Sequence, residues 1–515
     1  ASWVLAFGAD GAIEATIAPD QPIPHVYVDD VLVLELRGER DIDAHVTVII
    51  RDHADNEETA LDETLFLRAD GVRWIPLENT AQRRGRYTAR VLIEAGGETQ
   101  ESAHPFCRVD RPASMEAPPV GATFDAAEPY ALLAMRDLPL GKICFSAGQA
   151  ELDSLVQAEV DAGLGPAIFI DLTATTPEAA QALPEKYASK VVHWAIRPGD
   201  SLDVFESVAG AFVNRDPLVP FSLAADSPAA LEALLRAGAG GPASAITYLH
   251  DAPSAGDLAA FEMAAQAAGY ERLPVHVLGR GIAEDGPNAA AWLIRNLMVF
   301  ASRGVAQADI DGALLFNDQD VTEGYVFLSA LARRLTGGVP VGPMELPAPR
   351  RALVFRTGND WLITAWSEGE AGDCRIPTGA ATILEFADAS NNPLPLPAVE
   401  DGAVTIALGP DPVYLSGSGG DVTASVARRM MQQEAEAFMS NEARAALLPE
   451  QVAAIFQIMR QPDAPRIERG QFLALLPMFP LLEAKWHTGQ APGEAAVPAM
   501  RSLSALIRHS AVVEQ

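Results

Sequence analysis

A set of polar residues falls where short apolar runs end: Asp171, Arg197, Asp200, Asp226, His250, Asp251, Arg280, Glu284, Asp285, Asn317 and Asp318. Two carboxyls sharing a site can act as general acid and base. Asp200 and Glu284 form one such candidate pair, and His250 beside Asp251 forms a candidate dyad. Each also has a structural reading. Asp200 and Asp226 stand just before Leu202 and Pro228, where a short acceptor side chain caps a helix. Asp251 fits a turn and His250 a hydrogen-bonded histidine. Arg197 and Arg280 place cations among the acids, suited to ion pairs or to an acidic ligand. Trp194 is a core residue or a stacking surface for a ring, and Asn317 and Asp318 could hydrogen-bond a ligand. No nucleophile elbow, His-Glu-x-x-His or Cys-x-x-Cys occurs, and the nine His show no metal-ligand spacing, so no metal or cofactor is expected.

The elements that would position these residues change period along the chain. Residues 1–113 read as short strands separated by turns (His25–Val28, Val31–Leu36, His45–Ile50, Arg86–Ile93), an immunoglobulin-like sandwich with Tyr87 and Val91 facing inward. Pro112 to Pro119 is a Pro-rich joint. From 120 to 345, apolar runs alternate with amphipathic helices. The strands expected are Lys142–Phe145, Ala167–Leu172, Val191–Ile196, Val219–Leu223, Ala245–Leu249, Pro274–Leu278 and Gly312–Phe316. Asp226-Ser227 before Pro228 marks a helix start. Such β/α repetition predicts a parallel sheet, best fitted by a trimmed (β/α)8 barrel, with a doubly wound sheet as the alternative. No Gly-x-Gly-x-x-Gly turn follows any of these strands, which disfavours nucleotide binding. Residues 346–418 return to β as a small second sandwich, with Asn391-Asn392 as turn formers, and 421–515 form a helical tail.

With 515 residues, 49% hydrophobic and 21% charged, the chain has the composition of a multidomain globular protein. Its formal charge of −32 disfavours nucleic acid and anionic lipid as partners. The best apolar stretch, Ala291 to Ala301, is broken by Arg295, so no membrane span is expected. Residue 1 is Ala, consistent with a removed signal peptide and a secreted, periplasmic or cell-surface location. Cys107, Cys144 and Cys374 read as buried thiols, with a Cys107–Cys144 bridge left open.

The order of parts resembles clan A glycoside hydrolases of the β-xylosidase and α-iduronidase-like branch. Tyr187 to Ile196 (YASKVVHWAI) is similar to the approach to strand four of that clan, and Pro274 to Gly281 (PVHVLGRG) to strand seven. Asn288 to Gly304 is similar to the following helix, and Gly312 to Gly338 to strand eight and its helix. Arg351 to Trp366 and Pro410 to Gly417 resemble the first and last strands of the appended sandwich. The resemblance covers about half the chain. It implies a carboxyl pair about 5–5.5 Å apart, the acid/base in a Trp-Glu-x-Trp-Asn-Glu-Pro motif and the nucleophile in Thr-Glu-x-Gly. Here the first reads Trp194-Ala195-Ile196-Arg197-Pro198-Gly199-Asp200 and the second Leu278-Gly279-Arg280-Gly281. The two glutamates thus fall on Gly199 and Gly279.

The resemblance therefore implies a pseudo-glycosidase: a structural or assembly subunit, or a module binding a polysaccharide, with protein partners met through the tail 421–515. Trp194, Arg197, His250, Arg280, Asn317 and Asp318 are the ligand candidates. An active glycoside hydrolase with relocated carboxylates, drawn from Asp200, Asp251 and Glu284, is the alternative, and a lyase using His250 or Arg280 a third.

Overall fold

The computed structural model describes residues 3–7, 11–17, 25–111, 120–124, 143–148, 151–161, 163, 165–199, 201–215, 218–250, 255–270, 273–279, 289–303, 305–317, 320–440, 450–459, 475, 478, 481–482 and 503. Eight parallel strands close a barrel: Val120–Phe124, Ile143–Ser146, Pro166–Asp171, His193–Arg197, Phe221–Ala225, Ala245–His250, Val275–Gly279 and Gln307–Asp311. The first and eighth strands pair from Val120 with Ala308 to Thr123 with Asp311, which removes the open-sheet alternative.

Period-two alternation divides each strand between two environments. Cys144, Ala167, Phe169, Ala195, Ala224, Leu249 and Leu278 form a cluster in the lumen. Their neighbours Phe145, Ile168, Trp194, Ile196, Leu223 and Val277 belong to a larger core shared with the helices, through Phe205, Val208 and Phe212 among others. The lumen is thus packed with side chains, as in other barrels of this size. Helix starts follow local chemistry. Thr176 Oγ1 accepts from Ala179 N at 3.3 Å before Pro177, and Ser227 Oγ accepts from Ala230 N at 3.2 Å before Pro228. Losing such a cap costs about 1 kcal/mol.

Two barrel strands differ from the sequence expectation. The first, Val-Gly-Ala-Thr-Phe, is short and weakly patterned, and so it escapes notice. The eighth is Gln307–Asp311, not Gly312–Phe316. Its residues 307, 309 and 311 are polar and take the lumen positions, so the segment does not read as apolar. The apolar run after it is a 3-10 turn, Gly312–Leu314, where Asp311 Oδ1 accepts from Ala313 N at 2.9 Å.

The N-terminal region is a two-sheet sandwich. One sheet contains Trp3–Phe7, Gly11–Ile17, Leu32–Gly38 and Gly71–Leu77; the other contains His25–Tyr27, Glu98–Val109, Gly85–Ala95, Ile42–Asp52 and Glu57–Leu67. Tyr87 and Val91 are buried, and Tyr87 OH donates to Arg83 O at 2.7 Å. The C-terminal sheet begins at Gly338–Met344, ahead of the expected start at 346, and continues with Arg350–Thr357, Asp360–Ser367, Val413–Ser418 and Thr382–Ala387. Helix Val422–Met439 of the tail lays Val422, Val426 and Ala427 into this sandwich core, and Arg429 Nη1 reaches Glu345 at 2.7 Å. That helix commits its apolar side to the chain itself. Cys107, Cys144 and Cys374 are buried thiols, and no disulfide joins Cys107 to Cys144.

A polar joint ties the parts together. Asp110, 5% exposed, accepts from Arg84 Nε at 2.8 Å, Arg84 Nη2 at 2.7 Å and Asn391 Nδ2 at 2.6 Å. Arg334 Nε, on helix Glu323–Leu335, donates to Asn391 Oδ1 at 2.6 Å. Asn392 accepts from Arg84 N at 2.7 Å and donates to Arg84 O at 2.9 Å. Asn391 sits at φ 71°, a left-handed conformation that Asn tolerates. Residues read only as turn formers therefore also bind one sandwich to the other and to the barrel.

Candidate functional site

At the C-terminal rim of the barrel, the third, fourth and fifth strands bring three charged side chains together. Asp171 and Arg197 end their strands as register partners, and Asp226 follows the fifth strand. Arg197 Nη1 donates to Asp171 Oδ2 at 3.2 Å, and Arg197 Nη2 donates to Asp226 Oδ2 at 2.5 Å. Asp171 also accepts from the Thr173 amide at 2.9 Å and the Thr173 hydroxyl at 2.7 Å. Burial alone would raise the Asp171 carboxyl. The two Thr173 bonds and then Arg197 outweigh burial and hold it below its ordinary value.

The cap expected of Asp226 is supplied by Ser227, which leaves the Asp226 carboxylate to Arg197. The ion-pair reading of Arg197 is the one its geometry fits. Asp171 stood among the strand-end residues, but its union with Asp226 through one guanidinium was not foreseen. The signal available was parity: 171 and 197 occupy lumen-side positions of neighbouring strands.

Several ligand candidates lie elsewhere. Trp194 is 1% exposed and faces the helices, edge-on to Phe212 with centroids 4.9 Å apart. It is a strand–helix core residue and offers no face to a ligand. Gly279 has the parity of Val277, on the helix side, where it borders a small cavity with Trp292 and Asn296. By strand alternation a side chain at 279 would take the side of Val277, and a Cβ there would lie 3.3 Å from the Asp309 carbonyl oxygen. A Cβ on Gly199 would lie 3.1 Å from the Leu172 carbonyl oxygen, so the backbone approach there favours glycine. Asp200, Asp251, Arg280, Glu284, Asp285 and Asp318 lie outside the described residues, as do the side chains of His250 and Asn317.

Deeper in the lumen, Thr247 Oγ1 donates to Ser222 Oγ at 2.6 Å, Gln307 Nε2 donates to Asp309 Oδ1 at 2.7 Å, and the His193 and His276 rings lie 4.9 Å apart. The hydroxyl pair and the Gln307–Asp309 pair are hydrogen-bonded, and the two imidazole rings are in contact, all within the packed interior. Among the described residues no cluster of His, Cys, Asp and Glu has metal-holding geometry.

No family model matches the sequence, and no curated protein does. Among solved structures, a calcium-binding mutant of Bacteroides uniformis beta-glucuronidase 2 is 12% identical, with TM-score 0.35 over 79% of this chain and 57% of that one. A Paenibacillus sp. cycloisomaltooligosaccharide glucanotransferase is 7% identical, with TM-score 0.37 over 78% and 99%. An Anoxybacillus alpha-amylase is 7% identical, with TM-score 0.39 over 60% and 92%. The chain spans little more than half the length of the beta-glucuronidase. With TM-scores this low, the fold rests on the chain's own strand pairing.

Proposed function

We propose that this chain is a non-catalytic, glycosidase-like barrel protein acting outside the cytoplasm as a glycan-binding module or structural subunit. One observation carries the reading: Arg197 engages both Asp171 and Asp226 at the barrel rim. A retaining glycosidase needs one carboxyl whose pKa is raised, to protonate the leaving group, and a second carboxylate free to attack. Asp171 is shifted the opposite way, and its nearest cation would oppose an oxocarbenium-like charge. The low-lysine, acidic composition suits a saline exterior, which supports the location.

The test is release of reducing ends from soluble polysaccharides by the purified chain. The reading expects none. Release that disappears in Asp171→Asn, Asp226→Asn, Asp200→Asn or Glu284→Gln would sink it and establish a hydrolase with relocated carboxylates.

A further inference from the structure

The outer face of the N-terminal sheet carries a ring that the barrel does not use. Trp74 is 64% exposed. It stands directly across from Glu35, and its indole Nε1–H donates to Glu35 Oε2 at 2.6 Å. The other carboxylate oxygen, Oε1, accepts from Arg37 Nε at 2.6 Å. Glu35 is itself only 6% exposed, so a nearly buried carboxylate fixes the indole on one side and the guanidinium on the other. Register places Thr16, Glu35 and Trp74 in one row across the sheet, and Glu14, Arg37 and Val72 in the next. Among the described residues Arg37 is bonded through Nε alone, which leaves both Nη nitrogens as donors beside the ring.

An exposed indole normally gains by lying down on its own sheet. Here its polar edge is pinned, so the ring is held in place with a face toward solvent. Such a face packs against the C–H face of a pyranose, whose equatorial hydroxyls then extend over the neighbouring row, where Arg37 can donate. A protein partner fits less well. Among the described residues the ring's apolar neighbours on this face are exposed Val72 and Pro76 and half-buried Val33, with the charged Glu14 and Arg37 beside them, whereas a stable protein interface buries about 800 Å² per partner. A polyanionic ligand fits less well too, because Arg37 lies between Glu14 and Glu35 on a chain of net charge −32.

We propose that Trp74, oriented by Glu35 and flanked by Arg37, is a binding platform for neutral polysaccharide. This deepens the glycan-binding reading by placing the contact on the N-terminal sandwich, away from the barrel rim.

The full chain is run in native gels containing galactomannan, arabinoxylan, xyloglucan, mixed-linkage β-glucan or polygalacturonate. The wild type is expected to be retarded by at least one neutral polymer. Trp74→Ala should weaken that binding about tenfold. If the Ala variant melts earlier, Trp74→Phe decides, with an expected loss of about threefold. Retardation by none of the neutral polymers, by polygalacturonate alone, or equally in wild type and the deciding Trp74 variant overturns the platform. Reducing ends measured on the same samples keep the two readings apart. Turnover by the wild type sinks the non-catalytic barrel and leaves the platform standing, whereas absent retardation does the reverse.

Discussion

The interdomain joint and the barrel rim use the same chemistry in opposite surroundings. At the joint, one carboxylate, Asp110, with its side chain 4% exposed, receives three hydrogen bonds from Arg84 and Asn391. At the rim, one guanidinium, Arg197, 30% exposed, serves two carboxylates, of which Asp226 is half exposed. A charge taken out of water is costly unless every partner is in place, so the joint is all-or-none. Water can replace either arm of the rim cluster, so its pairs are worth little to folding. Similar contacts thus hold the molecule together in one place and only occupy side chains in the other.

The largest effect should come from breaking the joint. Asp110→Ala leaves Arg84 and Asn391 facing an unfilled site and should lower unfolding free energy by about 3 kcal/mol or more in denaturant titrations. A loss under about 1 kcal/mol would break the comparison. Burial tends to raise the Asp110 carboxyl, but Arg84 and Asn391 outweigh it and hold it below its ordinary value. Its contribution should therefore be complete above about pH 4 and erode as the pH falls below that. Asn391→Ala, which removes the donor to Asp110 and the acceptor for Arg334, should cost about 2 kcal/mol.

Acid sensitivity at higher pH has another source. Burial lowers His104 to about 4. Its neutral form is favoured in the folded state, so its stabilisation is full above about pH 6.5 and falls by roughly 1.4 kcal/mol per unit toward pH 4. His104→Gln should flatten the stability curve in that window; an unchanged slope would assign the sensitivity to another group. The smallest effect belongs to the rim, where Arg197→Met should change stability by no more than about 1 kcal/mol. A cost equal to that of Asp110→Ala would show the rim to be a structural joint as well.

What the sequence revealed follows what its patterns can encode. Apolar runs of the kind seen at Ala167–Leu172 and the Ser227-Pro228 start are local signals, and they lead directly to the barrel and its helices. Gln307–Asp311 was hidden because its lumen-facing side chains are polar, so an alternating strand looked like a loop. Trp194 was ambiguous because sequence alone did not give the parity of its strand, and parity decides between lumen and helix layer. The Asp110–Asn391 contact joins residues 281 positions apart, and no local pattern reports such a meeting.

The central claim is that the rim carboxylates held by Arg197 do no glycosidic chemistry. Dinitrophenyl glycosides test it most directly, because so good a leaving group needs no general acid and asks only for a nucleophile. Across a panel of such sugars, the account predicts dinitrophenol release by the pure chain no faster than in buffer alone. Release above that blank, abolished by Asp171→Asn or Asp226→Asn, would contradict it.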